Sequence, residues 1–430
     1  MATSVAPPIE EVSLGAFFSR LDPQGKRLPL EGILETTYRC NLNCVHCYVN
    51  KPAGDPEARA AELSLERLLS LVDEIAAAGT LSILLTGGEV LVRPDFEALY
   101  LYCLGKGLQV TVFTNGTEVT ERIADLFARH RPHAIEVTLY GMTAETYDRV
   151  TRVPGSFAKC LAGVRRLHAR GLPLKLKTMA LSWNAHEVPA MRAFAEELGV
   201  RFQHDSLLNP RVDCGANRNP ELQLEAEAAV ALDRQDEAAF ARFAAQAQAT
   251  IRPRPDAGAE PPLYTCGAGL TGFTVDPQGQ LQLCQLSRRH SFDLREGSFD
   301  EGWNVFFPKL RARTWQTQSA CRTCDLIGLC GSCPGAAELE HGDPEAIVVS
   351  FCEIAHVRAF SALEEVAGHR RDATCCLGQG RLVEDAHAAA RAEGGCGGCG
   401  HHAPAEEAGL IRELRVASRS GADSSPSRRS

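Results

Sequence analysis

The sequence predicts an α/β chain: a partial (β/α)6 TIM-like barrel, then a small Cys-rich domain, then a low-complexity tail. Three observations predict it. Residues 32 to 207 switch six times between strand-like and helical periodicity. Cys and Gly then concentrate between Cys266 and Cys352. After about residue 366 the pattern gives way to Ala, Gly, Ser and Arg.

The barrel elements follow in order. GILETTYRC (32–40) reads as a strand running into a cysteine loop. A helix follows, with Ser64 as N-cap, apolar residues at Leu65, Leu68, Leu69, Val72 and Ile75, and Gly79 as its stop. LSILLT (81–86) is a strand, and roughly 95–104 a helix. LQVTVFT (108–114), AIEVTLY (134–140), PLKLKTMAL (173–181) and VRFQHDSL (200–207) are further strands, with helical patterns between them. Strands alternating with helices imply a parallel sheet with outer helices. A complete barrel has eight such units, so six leave it open on one side. One helical stretch, EAEAAVALDRQDEAAFARFAAQAQA, then leads to a linker, RPRPDAGAEPP. GFTVDPQGQLQLC carries a strand signal with PQGQ as its turn. The expected divisions are an N-terminal extension (1–30), the barrel (31–250), the Cys-rich domain (251–365) and the tail (366–430). The tail ends in SRSGADSSPSRRS, a composition expected to be disordered.

Composition narrows the function. The 430 residues carry a formal charge of −9 and no long basic stripe, so no nucleic-acid role is expected. No run approaches about 18 consecutive apolar residues, so no membrane span is expected. The first residues, MATSVAPPIEEV, lack the basic and apolar regions of a signal peptide. The expected location is therefore cytoplasmic. In a reducing compartment, 17 cysteines point to metal ligands or catalytic groups rather than to disulfides.

The loop after the first strand is CNLNCVHCY, with Cys40, Cys44 and Cys47 followed by Tyr48. In (β/α) barrels the chemistry gathers at the C-terminal ends of the strands. Here those ends carry the three cysteines, then Thr86-Gly87-Gly88-Glu89, Thr114-Asn115-Gly116 and Thr138-Leu139-Tyr140-Gly141. Thiolates hold iron–sulfur clusters, four to a 4Fe–4S cube. Three thiolates leave one iron with an open position, where a substrate or cofactor binds. Half a zinc site is the competing reading of the loop, and the GGE segment one unit later argues against it. His46 reads as loop filler, and Cys103 and Cys160 as buried apolar thiols.

On these residues the chain resembles the radical S-adenosylmethionine (SAM) enzymes, whose signature is a CxxxCxxC loop after the first strand. The resemblance covers roughly 30–210 and implies that SAM chelates the open iron of a 4Fe–4S cluster. It implies that Gly87, Gly88 and Glu89 hold the methionine amino group. It implies that Thr114 or Asn115, and Thr138, bond the ribose or carboxylate, and that Arg149 or Arg152 pairs with the carboxylate. Tyr48 matches the aromatic residue of the signature.

The second field is Cys266, Gly279 and Cys284, then Cys321, Cys324, Cys330, Cys333 and Cys352. Paired spacings of this kind mark a metal site, with tetrathiolate zinc as the competing reading. The pattern resembles the SPASM domain, which binds up to two auxiliary 4Fe–4S clusters behind radical SAM barrels. The resemblance assigns Cys266, Cys284 and Cys333 to the first, and Cys321, Cys324, Cys330 and Cys352 to the second. The family's last inner gap is three residues, whereas here Gly331 and Ser332 make only two. The first group then lacks a fourth ligand: Cys214, a non-cysteine group, or none.

The resemblance implies reductive cleavage of SAM, hydrogen abstraction from a peptide or protein, and installation of a crosslink or related modification. LYGMTAETYDRVTRVPGSF is similar to the fourth-strand segment of the pyrroloquinoline-quinone peptide cyclase group. Anaerobic sulfatase maturases carry an aspartate base directly after the cysteine matching Cys284; Gln285 stands here and cannot serve as a base. Asp205 and His204, at the sixth strand end, are candidate substrate-facing groups; His204 reads equally as a satisfied polar residue. The implied partners are a peptide, a separate leader-binding protein and an electron donor such as flavodoxin or ferredoxin. The competing functions are modification of a small molecule or haem-like tetrapyrrole, and a non-catalytic electron carrier. The Cys/His tract GGCGGCGHH and the adjacent Cys375 and Cys376 are expected to be incidental to the tail.

Overall fold

The computed structural model describes residues 27–49, 51–212, 220–250, 261–317, 319–322, 324 and 326–362. Six parallel strands form the predicted barrel segment: β1 (Glu31–Thr37), β2 (Ser82–Gly87), β3 (Gln109–Thr114), β4 (Ala134–Thr138), β5 (Leu174–Met179) and β6 (Arg201–Asp205). The intervening helices are α1 (Leu65–Ala77), α2 (Phe96–Gly105), α3 (Glu121–Arg129), α4 (Ala144–Thr151), α5 (Ser156–Ala169) and α6 (Val188–Glu197).

Helix α1 shows how the sequence sets these elements. Ser64 accepts from Arg67 N at 3.2 Å, and Gly79 takes φ +93° just past the end. Leu68, Leu71, Val72 and Ile75 are buried against the sheet. They meet one row of the strand alternation: Leu34, Ile83, Leu85, Val110, Val112, Ile135, Val137, Leu174 and Leu176 share their core. The opposite row faces the barrel interior and is more polar, with Glu35, Thr86, Glu136, Thr138, Lys175 and Lys177.

The stretch read as one helix from 225 to 249 is two, α7 (Ala226–Arg234) and α8 (Glu237–Thr250). Asp236 explains the break: its Oδ1 accepts from Ala239 N at 2.9 Å, so it caps a new helix rather than continuing the old one.

The sheet does not stop at the barrel. β7 (Gly272–Val275) lies parallel to β1, and β8 (Gln280–Gln282) and β9 (Phe292–Asp293) extend it antiparallel. The order is β9-β8-β7-β1-β2-β3-β4-β5-β6. PQGQ is the predicted turn, with Asp276 Oδ1 accepting from Gln278 N and Gln280 N, both at 2.9 Å. Gly32 permits the junction. A Cβ there would stand 2.5 Å from the Phe273 ring and 2.6 Å from Ile83 Cδ1. Phe273 packs on Phe299 (4.7 Å between centroids), in an aromatic group completed by Trp303 and Phe307. Only strand signals stood out beyond residue 266, yet helices follow, the longest of them among the described residues being α9 (Pro334–His341) and α10 (Val349–Ala362).

Cys214, most of the linker and the whole Cys/His tail lie outside the described residues. Among the described residues no helix is long and apolar enough to cross a membrane.

Candidate functional site: the cysteine loop at the barrel mouth

The Cys40–Tyr48 loop is held on four sides. At its entry, Arg39 makes a two-pronged ion pair with Glu62 (2.8 and 2.9 Å), and Thr37 Oγ1 donates to the same carboxylate. Arg93 adds a contact to Glu62 at 3.4 Å and donates to Thr36 O at 2.8 Å. These side chains are buried, so the pair is desolvated and mutually dependent. From β2, Gly88 N and Glu89 N donate to Thr37 O (2.6 Å) and Arg39 O (2.9 Å). From α4, Thr151 O and Val150 O accept from Asn43 N and Val45 N, both at 3.0 Å. After β6, Val212 N reaches Tyr48 O at 3.0 Å.

The two glycines are dictated first by this crowding. A Cβ on Gly87 would sit 2.1 Å from Thr37 O, and one on Gly88 2.4 Å from Arg39 O. Gly87 also adopts φ +145°, a conformation that side chains disfavour.

Glu89 is buried just beneath the loop. Its Oε1 accepts from Thr114 Oγ1 (2.8 Å) and Leu91 N (3.1 Å), and its Oε2 from Asn115 N (2.7 Å). Burial pushes its carboxyl up to about 7 against these donors. Asn115 Nδ2 donates to Asn41 Oδ1 (2.8 Å) and lies 3.8 Å from Cys40 Sγ, which also accepts from Leu42 N at 3.4 Å. Thr114, Asn115 and Glu89 thus form one unit beside Cys40, in which Glu89 and Thr114 hold each other.

The Cys40 and Cys44 thiols are raised. Burial lifts Cys40 to about 12 and Cys44 well above its ordinary value, and for each of them neighbouring cysteines add to the lift. Tyr140 hydrogen-bonds Cys44, and the His46 ring meets Tyr140 edge-on at 5.0 Å. Burial drops His46 to about 4, so it stays neutral. Cys103 and Cys160 lie in the core, as read.

Do these residues fit the implied cluster? A single zinc with Zn–S bonds of about 2.3 Å would draw sulfurs to within about 4 Å of each other. Among the described residues no group of three Cys, His, Asp or Glu is arranged to hold a single metal ion. Three thiols that feel one another, with N–H groups already aimed at one sulfur and a fourth protein thiol absent from the loop, fit a larger cube better.

The other predicted residues separate. Thr138 ends β4 half-buried, and its carbonyl accepts from the Cys160 thiol at 3.9 Å. Arg149 is exposed and stacks on Trp183 at 4.0 Å; Arg152 takes φ +56° at the end of α4. His204 and Asp205 are neighbours on one strand and so point to opposite faces. His204 turns to the outer helices, where its Nε2 meets Asp233 Oδ1 at 3.2 Å and Arg358 holds the other oxygen at 2.8 Å. His204 thus ties β6 to α7 and α10, as a satisfied polar residue. Asp205 shares a face with Met179 and accepts from Leu207 N at 2.9 Å.

In the second field, the Cys284 and Cys333 thiols hydrogen-bond each other. Cys333 is the N-cap of α9. The Cys284 bond, then the N–H groups of Ala336 and Gly335, hold it below the ordinary thiol range. Cys266 is exposed, whereas Cys321, Cys330 and Cys352 are buried and Cys324 is half-buried. Cys330 ends a short helix that packs on α10, the helix carrying Cys352.

Glu35 escaped the sequence reading. Its Oε1 accepts from Arg288 Nη2 (2.8 Å) and Gln285 Nε2 (3.1 Å), and its buried Oε2 has no hydrogen-bond partner. Gln285 also meets Tyr48 OH at 3.3 Å. One network therefore links the residue after Cys47 to the residue after Cys284. Glu35, directly after the apolar Ile33 and Leu34 of β1, was the available signal.

Comparisons with known proteins agree with this geometry. Residues 34–195 match the radical SAM superfamily model. The chain is 30% identical over 327 residues to the mycofactocin maturase MftC of Mycobacterium ulcerans, covering 73% of this chain and 86% of that protein. It is 28% identical to the PqqA peptide cyclase of Ruegeria pomeroyi, covering 74% and 86%. It is 34% identical to an AdoMet-dependent heme synthase of Methanosarcina barkeri, but over 41% of this chain and only half of that protein. Among solved structures, Streptococcus suis SuiB bound to its precursor peptide SuiA superposes with a TM-score of 0.58 at 13% identity, covering 80% and 83%. The fold, the three-cysteine mouth and these matches together place the chain in the radical SAM superfamily, whose members bind a 4Fe–4S cluster and SAM.

Proposed function

We propose that the protein is a radical SAM peptide maturase, installing a crosslink or related modification in a peptide or protein. The observation that carries this reading is the mouth itself. Three thiols and a buried Glu89 are stitched to strand β1, and a second cysteine field joins the same sheet through β7. Relatives that span most of both chains are named as peptide maturases.

Cys40, Cys44 and Cys47 would hold the SAM-binding cluster. Bound there, cluster and SAM supply a 5′-deoxyadenosyl radical for removing hydrogen from an unactivated C–H bond. The chain orients and shields that chemistry. Gly87 and Gly88 bring backbone against the loop, and Glu89, held by Thr114 and Asn115, offers a fixed anionic edge to a methionine ammonium group. Cys266, Cys284 and Cys333, and separately Cys321, Cys324, Cys330 and Cys352, would hold up to two auxiliary clusters. A ferredoxin- or flavodoxin-type donor and a separate leader-binding protein complete the scheme.

The test is anaerobic incubation of reconstituted protein with SAM and dithionite, followed by co-expression with short peptides encoded beside its gene. Formation of 5′-deoxyadenosine and a mass loss of hydrogen in one peptide support the reading. Absence of 5′-deoxyadenosine leaves the electron-carrier alternative. The haem synthase match favours a second reading, tetrapyrrole modification. Turnover of an iron porphyrin with no peptide altered would select it.

A further inference from the structure

A buried polar cluster joins the two cysteine fields where the sheet passes from β1 into β7. At its centre is the Glu35–Arg288 ion pair, whose side chains are 1% and 8% exposed. Arg288 is fully engaged. Its Nη2 donates to Glu35 Oε1 (2.8 Å), its Nη1 to Tyr38 OH (2.9 Å) and its Nε to the Gln285 carbonyl (2.5 Å). Tyr38 OH in turn donates to Asp276 Oδ2 at 3.2 Å, in the turn after β7.

Two members of the cluster flank cysteines. Gln285 Nε2 bonds Glu35 Oε1 (3.1 Å) and Tyr48 OH (3.3 Å). Tyr48 follows Cys47 and Gln285 follows Cys284, so one side-chain hydrogen bond spans from field to field. The other side of the Cys284 turn is closed by α9. A Cβ on Gly335, two residues after Cys333, would stand 3.0 Å from Leu286 C and from Ser287 N. The turn is therefore clamped between Glu35 and the start of α9.

An ion pair that served only to hold the fold would satisfy both carboxylate oxygens. Glu35 Oε2 is buried without a hydrogen-bond partner, a costly arrangement that asks for a reason. A fixed charge in a dry interior acts at longer range than in water. Net charge and hydrogen bonds around a cluster set its reduction potential.

We propose that Glu35 is a positioning residue that makes the two fields one redox unit. Through Gln285 and Arg288 it latches the Cys284 turn onto Tyr48, and its charge lowers the reduction potentials of the clusters on either side. The proposal rests on the radical SAM reading with clusters in both fields.

The test is an anaerobic redox titration of the reconstituted full chain, followed by EPR, with iron counted in every sample. Glu35→Gln keeps the shape and the acceptor but removes the charge. At a fixed solution potential, its ratio of reduced to oxidised mouth cluster is expected to rise at least ten-fold, which is 59 mV for one electron. The cluster at Cys284 should move in the same direction. Glu35→Gln/Arg288→Met removes both charges and is expected to return the ratio to within three-fold of wild type. Glu35→Asp, which keeps the charge at shorter reach, should also stay within three-fold. A merely structural pair gives the opposite order, with the double variant and Glu35→Asp disturbed at least as much as Glu35→Gln. That order overturns the proposal, and so does a Glu35→Gln ratio within three-fold of wild type. Should Glu35→Gln lose its iron, a double variant with full iron and a wild-type ratio supports the charge role, and a double variant that also loses iron overturns it. Wild type with iron at the mouth and none in the second field would refute the auxiliary clusters and the coupling with them. Iron in both fields with potentials indifferent to Glu35→Gln would refute the coupling alone.

Discussion

The two cysteine fields are built in opposite ways. At the barrel mouth, three half-buried thiols sit in one short loop, fixed by hydrogen bonds from four different strand–helix units. In the second field, the cysteines are spread over 87 residues, from Cys266 to Cys352: Cys266 and Cys284 lie outside helices, and Cys321, Cys330, Cys333 and Cys352 lie on helices or at their ends. Cys321, Cys330 and Cys352 are buried there, and Cys284 pairs with Cys333. The first arrangement fixes the backbone and leaves the sulfurs facing a mouth. The second buries three of its seven sulfurs in packed chain and leaves Cys266 exposed. An open iron suits the former, and closed ligation the latter.

Four substitutions would break or sharpen that contrast, from the largest effect down. Gly87→Val forces a side chain into Thr37 O and onto an unfavourable φ. It should lower 5′-deoxyadenosine formation by at least about 100-fold, as a displacement of about 1 Å at a reacting group does. Iron in the second field should be retained, and loss of all iron would show that the two fields do not form independently. Glu62→Ala strands Arg39 and Arg93 without their buried partner. Urea unfolding should show about 3–5 kcal/mol of lost stability, the usual cost of breaking a buried pair from one side. An effect below about 1 kcal/mol would mean that the loop entry is not held as described.

The third concerns pH. Lys177 faces the barrel interior beside Glu136 (3.3 Å), and burial lowers it to about 7. A lysine depressed in the folded state but ordinary when unfolded leaves the unfolded chain binding more protons between the two values. Stability relative to Lys177→Met should therefore rise from about pH 7 to about pH 10. A flat or falling difference would contradict the assignment. The last and smallest is Asp236→Ala, which removes the N-cap of α8 and should cost about 1 kcal/mol in urea unfolding. It would also release Arg192.

Much of this architecture was legible in the sequence. Six strands and their helices followed from local period and caps, because each depends on neighbours within about a dozen residues. Cys40, Cys44, Cys47 and Glu89 were legible because strand ends converge in such barrels. What was not legible depended on distant pairing. β7 joins β1 across about 240 residues, and the need for a glycine at Gly32, against Phe273, shows only once the two strands are paired. Asp236 looked like a mid-helix residue until its side chain was seen to cap. His204 and Asp205 looked alike as strand-end polar groups. The face of a strand cannot be assigned from two adjacent polar residues when both its sides carry polar neighbours.

The most direct measurement is iron and sulfide counting with Mössbauer and EPR spectra, before and after SAM, on anaerobic wild type and on Cys40→Ala/Cys44→Ala/Cys47→Ala. In wild type, one cluster is expected whose signal changes on SAM addition. The variant should lose that cluster alone, with the iron of the second field retained. Zinc at the mouth, or a cluster signal there that ignores SAM, would contradict it.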